Sequence, residues 1–254
     1  MIIKQGKVDK LRYVALDTRA EMGALAAKDI SEEISRQLAA KSEINMIFAA
    51  APSQNDVLAS LVAGKDIEWE RINAFHMDEY IGLPADAPQG FGNFLKNAIF
   101  DKVPFKSVNL IDSTASDPEA ECERYAALLA AHKCDIIVMG IGENGHIAFN
   151  DPHVADFRDK KAVKVVSLDD ICRRQQVNDG CFERIEEVPR YALTLTIPTL
   201  VAPEAAFCIV PAKTKAWAVD RTLNGEIGEE CPATALRLHG NARLYLDADS
   251  SSLL

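Results

Sequence analysis

The segment from Gly140 to Pro152 carries side chains suited to acid–base chemistry. It reads Gly-Ile-Gly-Glu-Asn-Gly-His-Ile-Ala-Phe-Asn-Asp-Pro, with three glycines around a polar turn, then a histidine and a carboxylate. Glycines let the backbone approach a ligand closely, and we place Gly142 beside it. His146 is predicted to be a general acid and base, with Asp151 orienting its ring and stabilising its protonated form.

The glycine spacing of this segment differs from that of a dinucleotide-binding loop. Gly145 follows Gly142 by three residues, and no helix is predicted to open there. A dinucleotide fingerprint requires both a different spacing and that helix. The segment is therefore interpreted as part of an active site, against the alternative of a satisfied surface histidine.

Two adjacent carboxylates, Asp78 and Glu79, follow another apolar stretch. Neighbouring side chains point in different directions, so at most one of the two faces a given ligand while the other pairs or caps elsewhere. Asp78 comes first after the predicted strand and is the candidate base. The alternative for this pair is that both are solvated loop acids.

Strand and helix signals alternate along the chain, and apolar runs of this length are typical of strands buried on both faces. Strands are predicted at 44–51, 71–76, 108–111, 136–139, 162–168, 191–197, 206–210 and 243–246. Helices are predicted after a Thr18 cap as far as Leu38, over 54–62 after a Ser53 cap, near 91–100, from Pro118 after an Asp117 cap to about His132, from about 168, from 214 and near 233.

This alternation predicts one α/β domain over residues 1–254, a doubly wound, mostly parallel sheet with helices on both faces. No linker, repeat or charge run divides the chain. An eight-unit barrel is the alternative, but the uneven connections favour an open sheet, in which ligands bind beyond the carboxyl ends of the strands. Four polar segments directly follow predicted strands: 51–54, 77–80, 140–152 and 211–215.

Composition and charge exclude several classes of protein. The chain has 254 residues, of which 48% are hydrophobic and 26% charged, as in a soluble globular protein. Acidic residues outnumber basic ones by 38 to 28, and no basic patch exists to bind nucleic acid or an anionic membrane. A small anionic substrate is compatible with this acidic net charge, because one helix N-terminus and one lysine can hold a phosphate.

The N-terminus and the cysteines predict a cytoplasmic chain without a metal site. The stretch from Met1 to Lys7 has no apolar run of signal-peptide length, and no later stretch approaches the roughly 20 apolar residues of a membrane span. The cysteines are scattered without zinc-ligand spacing and are expected to be reduced thiols. They are Cys122, Cys134, Cys172, Cys181, Cys208 and Cys231.

Five segments, in order along nearly the whole chain, carry a family resemblance. They are Phe75–Leu83, Gly140–Pro152, Val188–Thr194, Lys215–Ala216 and Leu236–His239. Together they resemble the glucosamine-6-phosphate deaminase/isomerase family. The resemblance implies a doubly wound α/β fold, no metal or organic cofactor, and a small-molecule substrate that is a 2-amino-2-deoxyhexose 6-phosphate.

The resemblance also implies roles for individual residues. Family members open the sugar ring, move a proton between C2 and C1, and release ammonia to leave a ketose phosphate. By this resemblance Asp78 transfers the proton and His146 opens the ring. Asp151 stands where the family has a glutamate that partners the histidine, and Lys215 matches a phosphate-binding lysine.

Two departures from the family's pattern lie beside the histidine. Asn144 replaces an aspartate, and an amide can hydrogen-bond but cannot accept a proton or stabilise an imidazolium by charge. Asp151 is one methylene shorter than the usual glutamate, which puts its reach to His146 in question. Together these changes would lower the deaminase rate or redirect the chemistry to another amino-sugar phosphate or to simple isomerisation.

The phosphate end departs from the pattern as well. Where the family has a Gly-Gly-Ser/Thr loop, this chain has Ala51, Pro52, Ser53 and Gln54. Ser53 and the amides that open the next helix are expected to cradle the phosphate, although Pro52 offers no amide. The family's phosphate-binding arginine has no clear counterpart, because an ungapped alignment places Asp179 there, near Arg173 and Arg174. We therefore expect an altered substrate rather than an empty site.

Two other functions remain open at this stage. The related 6-phosphogluconolactonases hydrolyse a sugar-phosphate lactone, and a sensor that binds a sugar phosphate without turnover would also fit the departures. Such a sensor would lack a DNA-binding segment, since the chain has no spare helix-turn-helix or basic region. The sequence distinguishes neither the glucosamine from the galactosamine epimer nor one oligomeric state from another.

Overall fold

A central sheet of eight strands organises the chain, and the computed structural model describes every residue from 1 to 254. Neighbouring strands are parallel except in one antiparallel pair at the edge, which confirms the predicted mostly parallel α/β sheet. Numbered along the chain and given in spatial order, the strands are β1 (Ile2–Val8), β2 (Leu11–Leu16), β11 (Ala242–Leu246), β10 (Ala205–Val210), β7 (Ile136–Met139), β3 (Ile44–Phe48), β4 (Ile72–His76) and β6 (Ser107–Asn109).

Helices cover both faces of this sheet, as predicted. They are α1 (Arg19–Leu38), α2 (Asn55–Ala63), α3 (Phe91–Leu95), α4 (Pro118–Ala131), α5 (Asp170–Asn178), α6 (Ile197–Leu200) and α7 (Ala216–Asn224). Successive side chains of a strand point to opposite faces, so Phe207 of β10 packs in the core with α1 and α2, whereas Cys208 packs with α4 and α7. No helix is both long enough and apolar enough to cross a lipid bilayer.

Two of the predicted helix caps are confirmed. At the start of α1, the Thr18 hydroxyl accepts a hydrogen bond from the backbone amide of Glu21. At the start of α4, the Asp117 carboxylate accepts bonds from two backbone amides, and Pro118 occupies the first turn, where no amide partner is needed.

The predicted cap at Ser53 is wrong. The chain leaves β3 at Phe48, earlier than predicted, and then forms a short 3₁₀ turn over Pro52–Gln54. Helix α2 therefore begins only at Asn55, and no side chain caps it. The Ser53 hydroxyl accepts a hydrogen bond from the Gln54 side chain instead.

Three strands were missed by the sequence analysis: β1, β2 and the short strand β5 (Asp78–Tyr80). Strand β1 is exposed on both faces and lacks the apolar pattern of a core strand. Strand β5 has too few residues to show any pattern. It forms a second, antiparallel sheet with β9 (Tyr191–Leu195) and β8 (Val163–Ser167), so Asp78 lies on a strand rather than in the predicted loop.

The order of the strands creates a crevice at the middle of the large sheet. From β3 the chain proceeds to β4 and β6 on one side, and later to β7, β10 and β11 on the other. The direction of winding therefore reverses between β3 and β7. Ligands of open α/β sheets bind outside the carboxyl ends of the strands at such a reversal.

Candidate functional site

A cleft at this reversal collects side chains from the four segments predicted to follow strands. Asn144 and Asp151 stand behind it, and Pro52 lines an adjoining cavity instead. The predicted site residues that line the cleft are Ala51, Ser53, Gln54, Asp78, Gly142, His146 and Lys215.

His146 is held in the wall of the cleft by two oxygen atoms near its ring nitrogen Nδ1. Nδ1 lies 2.7 Å from Asn144 Oδ1 and 3.0 Å from Asp151 Oδ1. Asn144 Oδ1 also accepts the backbone amide of His146 at 3.0 Å, which fixes the ring relative to its own main chain. Because both neighbours of Nδ1 are acceptors, we assign the proton of the neutral ring to Nδ1 and leave Nε2 as the basic nitrogen.

Asp151 reaches His146 despite its shorter side chain. Its carboxylate also accepts bonds from the Asn144 amide group and from the backbone amide of Asp169, each at 3.0 Å. Burial by itself would raise the pKa of Asp151, but these bonds and the one from His146 outweigh burial and hold the pKa below its ordinary value. A carboxylate that stays ionised here stabilises the histidine ring whenever the ring is protonated.

Asp169 belongs to this network and was missed by the sequence analysis. One of its oxygens accepts the Asn144 amide group at 2.9 Å, and the other caps α5 by accepting the backbone amide of Cys172 at 2.6 Å. The amide nitrogen of Asn144 thus joins two carboxylates, Asp151 and Asp169. An ionised aspartate at position 144 would instead add a third negative charge without a donor, so Asn144 is matched to the acids around it.

Two glycines make room for this arrangement. Any side chain at Gly142 would overlap the His146 ring. Gly145 has a φ of +83°, and a Cβ atom there would approach the Cys231 sulfur to 2.6 Å. Both positions therefore require glycine, one for a close approach and one for a left-handed backbone.

Asp78 and Glu79 are both buried but have opposite surroundings. Glu79 accepts the backbone amides of Phe91 and Gly92 at 2.9 and 2.8 Å and so fixes the first turn of α3. Asp78 faces the cleft, and its carboxylate makes no hydrogen bond or ion pair within the chain. Burial, and then the charge of Glu79, raise the pKa of Asp78 well above its ordinary value. The second acid thus caps a helix, while the first is free for a ligand.

The opposite end of the cleft contains one buried ammonium group. Lys215 is 4% exposed and makes no side-chain hydrogen bond or ion pair. Burial lowers its pKa, while the more distant charges of Asp179 and Glu143 act against that change. Nearby, the Gln54 amide group donates to the Ser53 hydroxyl at 3.0 Å and to the Ile209 carbonyl at 3.1 Å. The Ser53 hydroxyl proton is thereby left free to point at a ligand.

A larger cavity, of about 560 Å³, lies elsewhere, beside the β1–β2 hairpin. Its only carboxylate, Asp29, accepts hydrogen bonds from Tyr245 at 2.6 Å and from Arg243 at 3.1 Å. That cavity therefore presents no free carboxylate, and its size does not make it the centre of the chemistry.

Two groups of side chains have metal-binding donor types, and both contain Asp151; one is His146, Asp151 and Cys172, and the other is Asp151, His153 and Asp169. Donor atoms of His146, Asp151 and Cys172 lie within 4.8 Å of one another. The His146 and Asp151 atoms, however, are already hydrogen-bonded to each other at 3.0 Å, and burial and the neighbouring acids raise the pKa of the Cys172 thiol well above its ordinary value. This donor set suits proton transfer better than metal binding.

The sequence profile of a family described as glucosamine-6-phosphate isomerases/6-phosphogluconolactonase matches residues 17–245. The chain belongs to this family. A glucosamine-6-phosphate deaminase of Listeria innocua is 33% identical to it over 230 residues, which make up 91% of this chain and 96% of that protein.

Solved structures of this isomerase/lactonase family share the fold. A monomeric glucosamine-6-phosphate deaminase superposes with a TM-score of 0.86 at 28% identity, covering 96% of this chain and all of that one. A 6-phosphogluconolactonase of Thermotoga maritima superposes with a TM-score of 0.77 at 19% identity, covering 94% of this chain and all of that one. The second comparison shows the shared fold alone.

Neither arginine considered for the family's phosphate site lines the cleft. The guanidinium of Arg173 turns away from the cleft and donates to the backbone carbonyls of Ile185 and Val188 at 2.6 and 3.1 Å. Arg174 is exposed on the outer side of α5. Lys215 is therefore the only basic side chain that lines the cleft apart from His146.

Proposed function

We propose that this chain isomerises and deaminates a 2-amino-2-deoxyhexose 6-phosphate, giving a ketohexose 6-phosphate and ammonia. One observation carries the proposal: Asp78 and Lys215, two buried charged groups without a partner in the chain, face one cleft together with His146. Unpaired buried charges are costly, so their presence indicates a ligand that needs them. Membership of the family and the name of the Listeria relative favour glucosamine 6-phosphate as that ligand.

His146 is suited to the first step, the opening of the sugar ring. In the proposed mechanism Nε2 removes the proton of the anomeric hydroxyl and returns a proton to the ring oxygen as the C1–O5 bond breaks. The ring becomes positively charged between these transfers, and Asp151 stabilises that charge. Asn144 and Asp169 keep Asp151 in place by donating hydrogen bonds to its carboxylate, each at 3.0 Å.

Asp78 is suited to the second step, the movement of hydrogen from C2 to C1. Its ionised carboxylate takes the C2 proton, leaving an enolate between C1 and C2, and then delivers that proton to C1. A proton moves from the C2 nitrogen to O1, so that O1 becomes a hydroxyl. The nitrogen at C2 is then an imine, which adds water and loses ammonia to leave the ketone. The raised pKa of Asp78 suits the removal of the C2 proton, because a stronger base abstracts a carbon-bound proton more readily.

At the other end of the substrate, Lys215 and the Ser53 hydroxyl are proposed to bind the 6-phosphate.

We also propose that residues 1–254 act as one sugar-phosphate domain, since strands from both ends of the chain, β1 and β11, join one sheet. A cytoplasmic location fits the six unpaired cysteines, which a reducing compartment preserves.

Ammonia release by the purified chain tests the proposal. Glucosamine 6-phosphate, galactosamine 6-phosphate and 6-phosphogluconolactone are supplied in separate reactions, and lactone hydrolysis is followed as well. We expect ammonia from glucosamine 6-phosphate, with the galactosamine reaction measuring selectivity for the epimer.

The control is Asp78→Asn, which we expect to bind the substrate while losing turnover by about 10³-fold. Asp86→Asn, on the exposed loop that follows, is expected to match the wild type. Ammonia from neither hexosamine, or equal rates for Asp78→Asn and the wild type, would overturn the assignment. Lactone hydrolysis above the spontaneous rate in place of ammonia release would favour the lactonase reaction instead.

A further inference from the structure

Gln176 on α5 is a buried amide without a partner. Its side chain is 7% exposed, makes no hydrogen bond within the chain, and lines the cleft. Its amide atoms are reachable from the cleft rather than sealed in the core. Its position facing a cleft, rather than the core, indicates that a ligand completes its hydrogen bonds.

Gln176 faces the end of the cleft that contains Ser53 and Lys215, which we call the anion end. It also lines the adjoining cavity of about 360 Å³, whose walls include Ala50, Ala51 and Pro52 from the loop after β3. Neither Asp78 nor His146 reaches that cavity. The amide therefore stands opposite the loop proposed to cradle the phosphate and away from the reacting carbons.

Hydrogen bonds of two other α5 residues, Gln175 and Arg173, fix the direction of the Gln176 side chain. Gln175 accepts the backbone amide of Glu143 at 2.8 Å and donates to Asp179 at 3.3 Å. Arg173 ties the same helix to the chain that follows it through the Ile185 carbonyl. These bonds fix the rotation of α5, so the Gln176 side chain is directed into the cleft before any ligand arrives.

The charges in the cleft show why such a donor is needed. A phosphate monoester carries about −1.5 to −2 charges at pH 7, whereas Lys215 supplies one positive charge. The acids nearest to Lys215, Glu143 and Asp179, lower the positive potential further. With Arg173 turned away and Arg174 exposed, the remaining phosphate oxygens must be satisfied by neutral donors.

We infer that Gln176 is a specificity-determining residue that donates its side-chain N–H groups to the substrate phosphate, in the role a second cation would otherwise fill. The inference rests on the proposed function for the identity of the substrate. It adds that this chain recognises phosphate with one ammonium and neutral donors, Ser53 and Gln176, rather than with a pair of cations.

The test compares Gln176→Glu and Gln176→Ala with the wild type. Glutamate keeps the shape of glutamine but replaces the donor with a charge that repels phosphate. We expect Gln176→Glu to raise KM for glucosamine 6-phosphate at least tenfold and Gln176→Ala about threefold to tenfold, with kcat within about threefold of the wild type. Arg174→Ala, an exposed change on the same helix, is expected to leave both constants unchanged.

A second measurement does not depend on turnover. Binding of inorganic phosphate to the wild type and the variants is followed by calorimetry, with circular dichroism to establish that each variant is folded. We expect the Kd for phosphate to rise in parallel with KM, most for Gln176→Glu. If wild-type chain binds phosphate but releases no ammonia, the proposed function fails while this inference stands.

Two results would overturn the inference itself. One is a Kd for phosphate and a KM within twofold of the wild type in both folded variants. The other is a loss confined to kcat, which would place Gln176 at the reacting carbons. If Gln176→Glu does not fold, the Gln176→Ala variant decides by the same criteria.

Discussion

The two ends of the cleft are built in opposite ways. At the end of the cleft that contains His146 and Asp78, the reacting end, His146 is held by Asn144 and Asp151, and these are held by Asp169. Asp78 is the exception there, because its carboxylate has no partner within the chain. At the anion end, Lys215 and Gln176 have none. Proton transfer needs groups fixed in advance, whereas an anion site can leave its hydrogen bonds to be completed by the ligand. Mutations at the reacting end should therefore change kcat, and mutations at the anion end should change KM.

Asp151→Asn should give the largest effect of the substitutions that test this contrast. The change keeps the shape of the side chain but removes the charge that stabilises protonated His146, so we expect kcat to fall by about 10²- to 10³-fold with little change in KM. Steady-state ammonia release measures both constants. Asp156→Asn, an exposed aspartate in the same loop, is the matched control. A rise in KM with kcat preserved would contradict the division between the two ends.

Lys215→Met should show the opposite pattern. Methionine retains much of the buried apolar length of lysine but loses the only ammonium group of the cleft, so we expect KM to rise by about 10- to 100-fold. We expect kcat to stay within about threefold of the wild type. Lys213→Met removes an exposed lysine two residues earlier and should leave both constants unchanged. A loss of kcat alone would mean that Lys215 takes part in the chemistry.

Glu79→Gln should change the pH dependence more than the maximal rate. Burial is the main cause of the raised pKa of Asp78, and the charge of Glu79 raises it further. Removing that charge should lower the pKa of Asp78, so activity should persist to lower pH on the acidic side of the kcat/KM profile. Profiles of Glu79→Gln and of the exposed control Glu70→Gln test this. An acidic limb that moves upward or stays fixed would exclude the coupling.

The smallest expected effect concerns stability. The pKa of Asp78 is raised in the folded chain, so the protonated acid is compatible with folding at low pH, and stability is lost as pH rises through the folded-state pKa. Asp78→Asn carries no such charge and should therefore melt at a slightly higher temperature than the wild type, by a difference that grows with pH until Asp78 is fully ionised and is then constant. Thermal melts between pH 5 and pH 9 measure this, and a difference that shrinks with rising pH would contradict it.

That Asp78, His146 and Lys215 line one cleft could be predicted from the sequence, because it depends on the order of strands and loops along the chain. Carboxyl ends of parallel strands meet at one edge of a sheet, so Asp78, His146 and Lys215 were expected in one site before their distances were known. Whether Asp151 contacts His146 could not be predicted in this way, because the answer depends on the length of one methylene group. The structure resolves it at 3.0 Å.

Gln176 was not predicted, because packing decides which of several similar side chains is left without a partner in the protein. Gln175 and Gln176 are adjacent, both are buried and both line the cleft, yet only the Gln175 side chain forms hydrogen bonds within the protein. Asp169 is a similar case. Its role as a helix cap can be predicted from the sequence, but its hydrogen bond to Asn144 depends on the tertiary structure. The second sheet was missed because β5 has only three residues and pairs with a strand more than a hundred residues away.

The number of residues in helix α5 fixes the position of one end of the cleft relative to the other. Asp169, which caps it, bonds to Asn144, and Gln176 follows Asp169 by seven residues, or about two helical turns, so both lie on the same side. Inserting or deleting one residue between them would rotate Gln176 by about 100° and turn it away from the cleft. A chain that uses this pair of contacts must therefore keep the number of residues between them.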